Sequence, residues 1–264
     1  MQSDSFLAPR SANHCPLTPV SLLWRTAELH PSRIGVVHGR TSLTWSDFAT
    51  FVNRLGAGLS QRGIGPGDIV SILAPNCPEM LAMHFAVPAI GAVLNTINIR
   101  LDTETVDYIL GHTQSTLLVV HRRCSEMVKA ARVNSTFDTC SKVWIASGSD
   151  DADRSGYLRF DKLFAHSDID MPQRISDEWQ PIALNYTSGT TGRPKGVVYN
   201  HRGAFLNAIG NLIALGFSDR TRYLWVLPMF HCNGWTHPWA VTAVGGTHLT
   251  PGHPLTLAHV GCVE

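Results

Sequence analysis

No apolar run in this sequence is long enough to cross a bilayer. The longest, Phe85 to Leu94, is interrupted by Pro88 and Gly91 and falls far short of the ~20 residues a spanning helix needs. An excess of one charge is lacking too. Lys+Arg number 21 against 20 Asp+Glu, so no basic surface points to nucleic acid or an anionic membrane. There is no Cys-x-x-Cys pair. The six cysteines, at 15, 77, 124, 140, 232 and 262, are spread too widely for a disulfide framework or a zinc knuckle. His231, Cys232 and His237 are close in sequence, but no second ligand pair joins them at a zinc spacing, so no metal site is expected. The start, Met1-Gln2-Ser3-Asp4, lacks the basic-then-apolar pattern of a secretory signal, and no Ser-Lys-Leu ends the chain; a cytoplasmic location is the expectation. Internal repeats and low-complexity tracts are absent as well.

What is present is an alternation of short apolar runs with helical patterns. Phe48, Phe51, Val52, Leu55 and Leu59 share one face of a helix predicted from Ser46 to Gly63. Ile69 to Ala74 reads as a buried strand, Pro78-Glu79 opens a second helix, and Ala92 to Ile97 reads as strand. Thr103 to Leu110 reads as helix, with strands at Leu117 to Val120 and Val143 to Ala146. Strands this short, separated by helices, make βαβ units, so the fold class is α/β with mostly parallel sheets and flanking helices. Methionines, aromatics and His84 on these helices read as core. The aspartates 150, 151 and 153 read as a solvated loop. The expected division is an N-terminal extension (1–19), a first α/β subdomain (20–175), the start of a second subdomain (176–249) and a divergent tail (250–264).

The most informative run is Tyr186-Thr187-Ser188-Gly189-Thr190-Thr191-Gly192-Arg193-Pro194-Lys195-Gly196, flanked by strand-like Ile182-Ala183-Leu184-Asn185 and Val197-Val198-Tyr199. Such a loop offers backbone N–H groups, hydroxyls and a mobile cation to one polyanion, which is how nucleotide phosphates are cradled. Thr187, Ser188, Thr190 and Thr191 are the hydroxyl donors. Gly189, Gly192 and Gly196 allow close approach and positive φ, and Lys195 supplies charge. Arg193 either adds charge or faces solvent. The run is not the common P-loop, which needs Gly-Lys-Ser/Thr opening a helix, so an ordinary kinase or NTPase is not the reading. The prediction is a strand–loop–strand hairpin.

This loop resembles the signature phosphate loop of the AMP-forming adenylating superfamily, in particular its acyl-CoA synthetases. A second block, Leu227-Pro228-Met229-Phe230-His231-Cys232-Asn233-Gly234-Trp235, is similar to the family's next motif. Weaker likenesses occur at Leu43-Thr44-Trp45, Gly63 to Val70, Asn76-Cys77-Pro78-Glu79 and Gly91-Ala92-Val93, so the resemblance runs over residues 20–249. It implies an acid–thiol ligase: a carboxylic acid attacks the α-phosphorus of ATP to give an acyl-adenylate and pyrophosphate, and coenzyme A then displaces AMP. ATP, Mg2+ and coenzyme A are implied with it. It places His231 beside the reacting carboxylate as the candidate catalytic residue, with Asn233, Gly234 and Trp235 in the acyl pocket. From the residues alone, His231 reads as a core histidine satisfied by backbone, and Trp235 and Trp239 are either pocket walls or core.

The family's later motifs, including a Tyr-Gly-x-Thr-Glu-like block and a C-terminal catalytic lysine, are not found after Trp239. The sequence therefore reads as the N-terminal portion of a ligase, with an exposed apolar edge and face and poor solubility expected of it. Thr250-Pro251-Gly252-His253-Pro254 breaks the pattern, as a frameshift, alternative splice or mispredicted exon would. The competing reading is a non-catalytic remnant that binds nucleotide weakly or acts through a partner chain.

Overall fold

The computed structural model describes residues 8, 10, 12–131, 141–145, 158–165, 174–187 and 193–251; of 129–131 and 141–145 it describes the backbone alone. In chain order the elements are α1 (Ser21–Leu29), β1 (Ile34–His38), β2 (Thr41–Thr44), α2 (Trp45–Gln61), β3 (Ile69–Leu73), α3 (Pro78–Ala89) and β4 (Val93–Thr96). There follow α4 (Thr103–Thr113), β5 (Leu117–His121), α5 (Ser125–Ala131), β6 (Ser141–Ile145), β7 (Leu158–Arg159), β8 (Pro181–Thr187) and β9 (Lys195–Asn200). The last are α6 (His201–Ala214), β10 (Arg222–Leu224), the single turn α7 (Cys232–Trp235), α8 (His237–Ala243) and β11 (Thr247–Thr250).

Helix starts follow local chemistry. Thr44 and Asp47 form a reciprocal capping box at α2, each satisfying the other's backbone N–H. Asp102 caps α4 through Thr105 N, and Asn200 caps α6 through Gly203 N. Pro78 opens α3, where its missing N–H costs nothing. Every side chain of α3 from Met80 to Ala89 is buried, which explains the absence of a clean amphipathic pattern there.

The larger sheet has the order β7-β6-β5-β3-β4-β8-β9, parallel throughout except for the antiparallel β8–β9 hairpin. Its central strands β3, β4 and β5 are covered on both faces, and their side chains alternate between two cores. Val70 and Ile72 of β3 and Leu117 and Val119 of β5 join the main core with α2 and α3. Leu73, Leu118 and Val120 point the other way, to a smaller core under α4 and α5. The smaller sheet has the order β10-β11-β1-β2, in which β1 runs parallel to β11 and antiparallel to β2.

The expected α/β architecture is present, and so is the β8–β9 hairpin. The sheets do not divide at residue 175, however. The hairpin belongs to the same sheet as β3 to β7, and β1 and β2 share a sheet with β10 and β11. Hydrogen bonding along a sheet joins strands by their edges, and sequence order does not constrain that choice. Thr250 still belongs to β11, so the strand passes the start expected for the tail. The acidic loop of residues 150, 151 and 153 lies outside the described residues.

As expected, an apolar edge is open to solvent. β9 is the outermost strand of its sheet, with Val197 and Val198 exposed, and Ile213 of α6 and Val226 are among the most exposed large apolar side chains.

Candidate active site

The chain leaves β4 towards β5 and leaves β8 towards β9, in opposite directions across the sheet. Such a divergence opens a crevice at the carboxyl ends of parallel strands. A cleft lies there, with Thr96, Asn185, Thr187, Tyr199, Phe230 and His231 among its walls. Its cavity of about 40 Å3 has room for water.

The mouth of the phosphate hairpin forms one side. Thr187 ends β8, Lys195 begins β9, and the two are direct cross-strand partners, both exposed. Gly196 pairs with Tyr186, and a Cβ on it would come within 3.0 Å of Leu184 Cδ1 and 3.5 Å of the Tyr186 ring. Close approach explains this glycine; its φ is not among the positive ones, so the conformational part of the expectation does not apply to it. Arg193 lies over the Tyr108 ring of α4 at 5.4 Å, a cation–π contact. Tyr186 is tied to the same helix by a 2.6 Å hydrogen bond with His112 Nδ1. Burial, and then Tyr108, push the Tyr186 hydroxyl up to about 12, so it stays protonated. Ser188, Gly189, Thr190, Thr191 and Gly192 lie outside the described residues.

The second motif forms the other side. From Cys232 to Thr236 the backbone is left-handed at every residue, which turns the chain sharply after His231. Gly234 is required in that turn: at φ +58 a Cβ would fall 2.7 Å from the buried Trp225 ring. The imidazole of His231 is exposed at the cleft, with Nε2 3.7 Å from Cys232 Sγ, so it is not a core histidine. Tyr199 faces Cys232 across the cleft, and burial, then the neighbouring thiol, raise its pKa. Asn233 lies beneath, 2 % exposed, with neither side-chain polar atom partnered among the described residues. Trp235 is 53 % exposed and outside the cleft lining, whereas Trp239 is core and donates from Nε1 to the His84 carbonyl. Of the four residues expected around the acid, His231 alone reaches the cleft.

Sequence reasoning quoted Asn76 without assigning it a task. Its amide Nδ2 donates to the carbonyls of Trp225 and Leu227, both at 2.9 Å, while Oδ1 accepts from Met229 N at 2.8 Å. One side chain thus fixes the segment leading into His231. Asn76→Ala strands three backbone groups and is expected to cost about 3 kcal/mol, taking about 1 kcal/mol per bond, read from urea denaturation midpoints. Asn185, Thr96 and Tyr199 were also missed as site residues; the first two look like ordinary strand positions in the sequence.

Among the described residues no three His, Cys, Asp or Glu side chains converge on a point that could hold a metal ion. The magnesium implied by the resemblance therefore has no set of protein carboxylate or imidazole ligands among the described residues. A phosphate group fits better: Thr187, with a hydroxyl, and Lys195, with an ammonium, are exposed cross-strand partners at the loop end of the hairpin.

The class is an α/β protein with a mostly parallel sheet, whose crevice is walled by the end of β8, by Tyr199 of β9 and by an exposed histidine. The chain belongs to the family described as AMP-binding enzyme, which it matches over residues 23–263 and therefore past the break in pattern at Thr250. It is 41 % identical over 251 residues to the acetate/butyrate–CoA ligase AAE7, peroxisomal, of Arabidopsis thaliana, covering 90 % of this chain and 44 % of the relative. It is also 41 % identical over 257 residues to the butyrate–CoA ligase AAE11, peroxisomal, of the same plant, with 92 % and 44 % covered. Among solved structures, the inhibitor-bound N-terminal domain of FACL13 from Mycobacterium tuberculosis superposes with a TM-score of 0.78 at 26 % identity, over 92 % of this chain and 58 % of that one. The chain spans about half the length of the curated relatives it matches.

Proposed function

We propose that this chain carries the phosphate hairpin and the acid-side motif of an AMP-forming acid–thiol ligase. In the reaction, a carboxylate oxygen attacks the α-phosphorus of ATP and pyrophosphate leaves. The thiol of coenzyme A then attacks the acyl carbonyl, AMP departs, and the thiol proton is released. The observation that carries the reading is the meeting of the hairpin mouth and His231 over one cleft.

The first step brings two anions together, so charge at the phosphates must be offset where the reactants meet. Lys195 supplies a cation and Thr187 a hydroxyl donor at the strand ends. His231, exposed on the opposite wall, donates a hydrogen bond to the carboxylate and orients it for in-line attack. Magnesium, when bound to the nucleotide, adds charge neutralisation to the phosphates. The relatives' names, with acetate and butyrate, favour a short-chain acid.

For the compartment, no helix among the described residues is long and apolar enough to cross a membrane. The peroxisomal relatives compete with the cytoplasmic reading, and fractionation of native extract with an antibody to this chain decides between them.

The test is thermal denaturation of the 264-residue chain with ATP and with a non-hydrolysable butyryl-adenylate analogue. Both are expected to raise the transition temperature, and Lys195→Ala is expected to weaken each about tenfold, equivalent to about 1.4 kcal/mol. Absence of any shift with either ligand at millimolar concentration overturns the proposal.

A further inference from the structure

Two motifs separated in sequence, and the strand β4 that precedes both and lies beside β8, meet at one buried amide. Asn185 is 5 % exposed, two residues before Thr187 on β8. Its Nδ2 donates to Thr96 Oγ1 at 2.6 Å and, at longer range, to the Phe230 carbonyl at 3.5 Å. Thr96, the last residue of β4 and 2 % exposed, donates its own hydroxyl to the same carbonyl at 2.9 Å. Because that hydrogen is committed, Thr96 Oγ1 can only accept from its neighbour, which fixes the amide with Nδ2 inward. Oδ1 has no partner among the described residues.

Phe230 is the residue before His231. The remaining restraints nearby are local bonds, His231 N to Pro228 O and Gly234 N to His231 O, and the Asn76 side chain, which reaches no closer than Met229 N. The Asn185–Thr96 pair is the long-range tie at the residue next to the histidine, and it sets that backbone against the sheet. β4 and β8 run side by side in parallel register, with Leu94 opposite Ala183 and Asn95 opposite Leu184, so the next positions along bring Thr96 and Asn185 together. Apolar side chains would fill this place at the strand ends without the desolvation cost of a buried amide and hydroxyl.

We propose that Asn185 and Thr96 are positioning residues that hold His231 at a set place opposite the Thr187–Lys195 hairpin mouth. Their catalytic meaning rests on the ligase reading; their effect on His231 does not. Neither touches the reacting atoms. Both act through the Phe230 carbonyl.

The experiment uses the full chain with Thr96→Val, which keeps the shape and removes the hydroxyl, Thr96→Ser, which keeps the hydroxyl, and Asn185→Leu. The first readout is the imidazole NMR resonance of His231 and its titration in the ligand-free protein, assigned by its disappearance in His231→Gln. Thr96→Val and Asn185→Leu are expected to move both the resonance and its midpoint, and Thr96→Ser to restore them. The second readout is calorimetric affinity. The valine and leucine variants are expected to bind a butyryl-adenylate analogue about tenfold more weakly, with ATP affinity within about twofold, since a loss of one or two hydrogen bonds is of that size. A general structural defect would weaken both ligands and disturb the other histidine resonances. An unchanged His231 resonance and titration in either folded variant overturns the proposal. Should the wild-type chain bind neither ligand, the ligase reading falls, and the resonance still decides the positioning role.

Discussion

Acidification from pH 7 to about 4.5 is expected to unfold the protein, mainly through its buried histidines. Four histidines are buried and held neutral: His84, His121 and His201 at about 4, and His248 at about 3. Burial is the first cause in each case. The charges of Arg123, His38 and Arg122 add to it at His121, and that of His84 at His248. Their hydrogen bonds suit the neutral ring. The Trp225 indole N–H can only donate, so His248 Nδ1 accepts at 3.1 Å and Nε2–H is left to donate to Thr242 Oγ1 at 3.0 Å. His84 donates from Nδ1 to the Met80 carbonyl, and His201 Nδ1 meets Thr18 Oγ1.

The sign follows from the depressed folded values. Above about pH 6.5 both folded and unfolded states leave these rings neutral, and stability is at its plateau. Below it the unfolded chain takes up protons that the native state refuses, until the folded values are reached. Each ring then removes about 1.4 kcal/mol per pH unit, so four together remove on the order of 5 kcal/mol per unit. That is comparable with the whole stability of an ordinary domain within about two units. Urea titrations followed by tryptophan fluorescence between pH 7.5 and 4.5 measure this slope, and Trp225, hydrogen-bonded to His248, is a built-in reporter. A stability that stays flat down to pH 5 would show that the rings are charged or rearranged in the native state.

Gly58→Ala should be the most damaging single methyl in the molecule. In an isolated helix the change is favourable by about 1 kcal/mol. Here the glycine of α2 lies against the 163–165 segment, and a Cβ would come within 2.8 Å of both Leu163 C and Ala165 N, with the Leu163 carbonyl oxygen closer still. These are backbone atoms and cannot swing aside. They are also pinned to α2: Ala165 N donates to the Arg54 carbonyl at 3.0 Å, and Arg62 bridges the Gly58 and Leu163 carbonyls at 2.9 and 3.2 Å. Overpacking costs about 1–3 kcal/mol, and separating the segment forfeits these bonds at about 1 kcal/mol each, for a total of about 4 kcal/mol. The denaturant midpoint of the variant measures it. A control at Gly210, where nothing lies within 4 Å of the added carbon, is expected to be stabilised slightly by the helix preference of alanine. Equal stability of the Gly58 variant and wild type would mean that the 163–165 segment is not held against α2 in solution.

Much of the fold was legible because its signals are local. The apolar spacing of α2, the proline at α3 and the short apolar runs of β3 and β5 act over a few residues, and the hairpin announces itself by its glycines and flanking β-branched pair. The elements missed were those whose reason is distant. β2 is largely polar, and β1, though Ile34, Val36 and Val37 suit a strand, is short and takes its place by pairing with β11; α1 is recognisable once Thr26 donates to the Thr242 carbonyl. At the site, His231 and the hairpin were visible as motifs. Asn185 and Thr96 were not, since a single polar residue at the end of an apolar strand has no pattern until its partner from another strand is known. The left-handed turn after His231 was equally hidden, because only Asn233 and Gly234 of its five residues tolerate that backbone readily.

The smaller sheet has a consequence for how the polypeptide is made. β1 finds its parallel partner β11 across 212 residues, as the bond between His38 and Thr250 measures. At about 5–20 residues per second, a ribosome delivers that partner roughly 10–40 seconds after the first hairpin has emerged. Throughout that interval the β1–β2 hairpin hangs outside the exit tunnel with one edge unclaimed, too small to be stable alone. Synthesis of this protein is therefore a period of waiting, in which a chaperone has its clearest opportunity at residues 34–44, and slowing translation downstream of them prolongs the exposure.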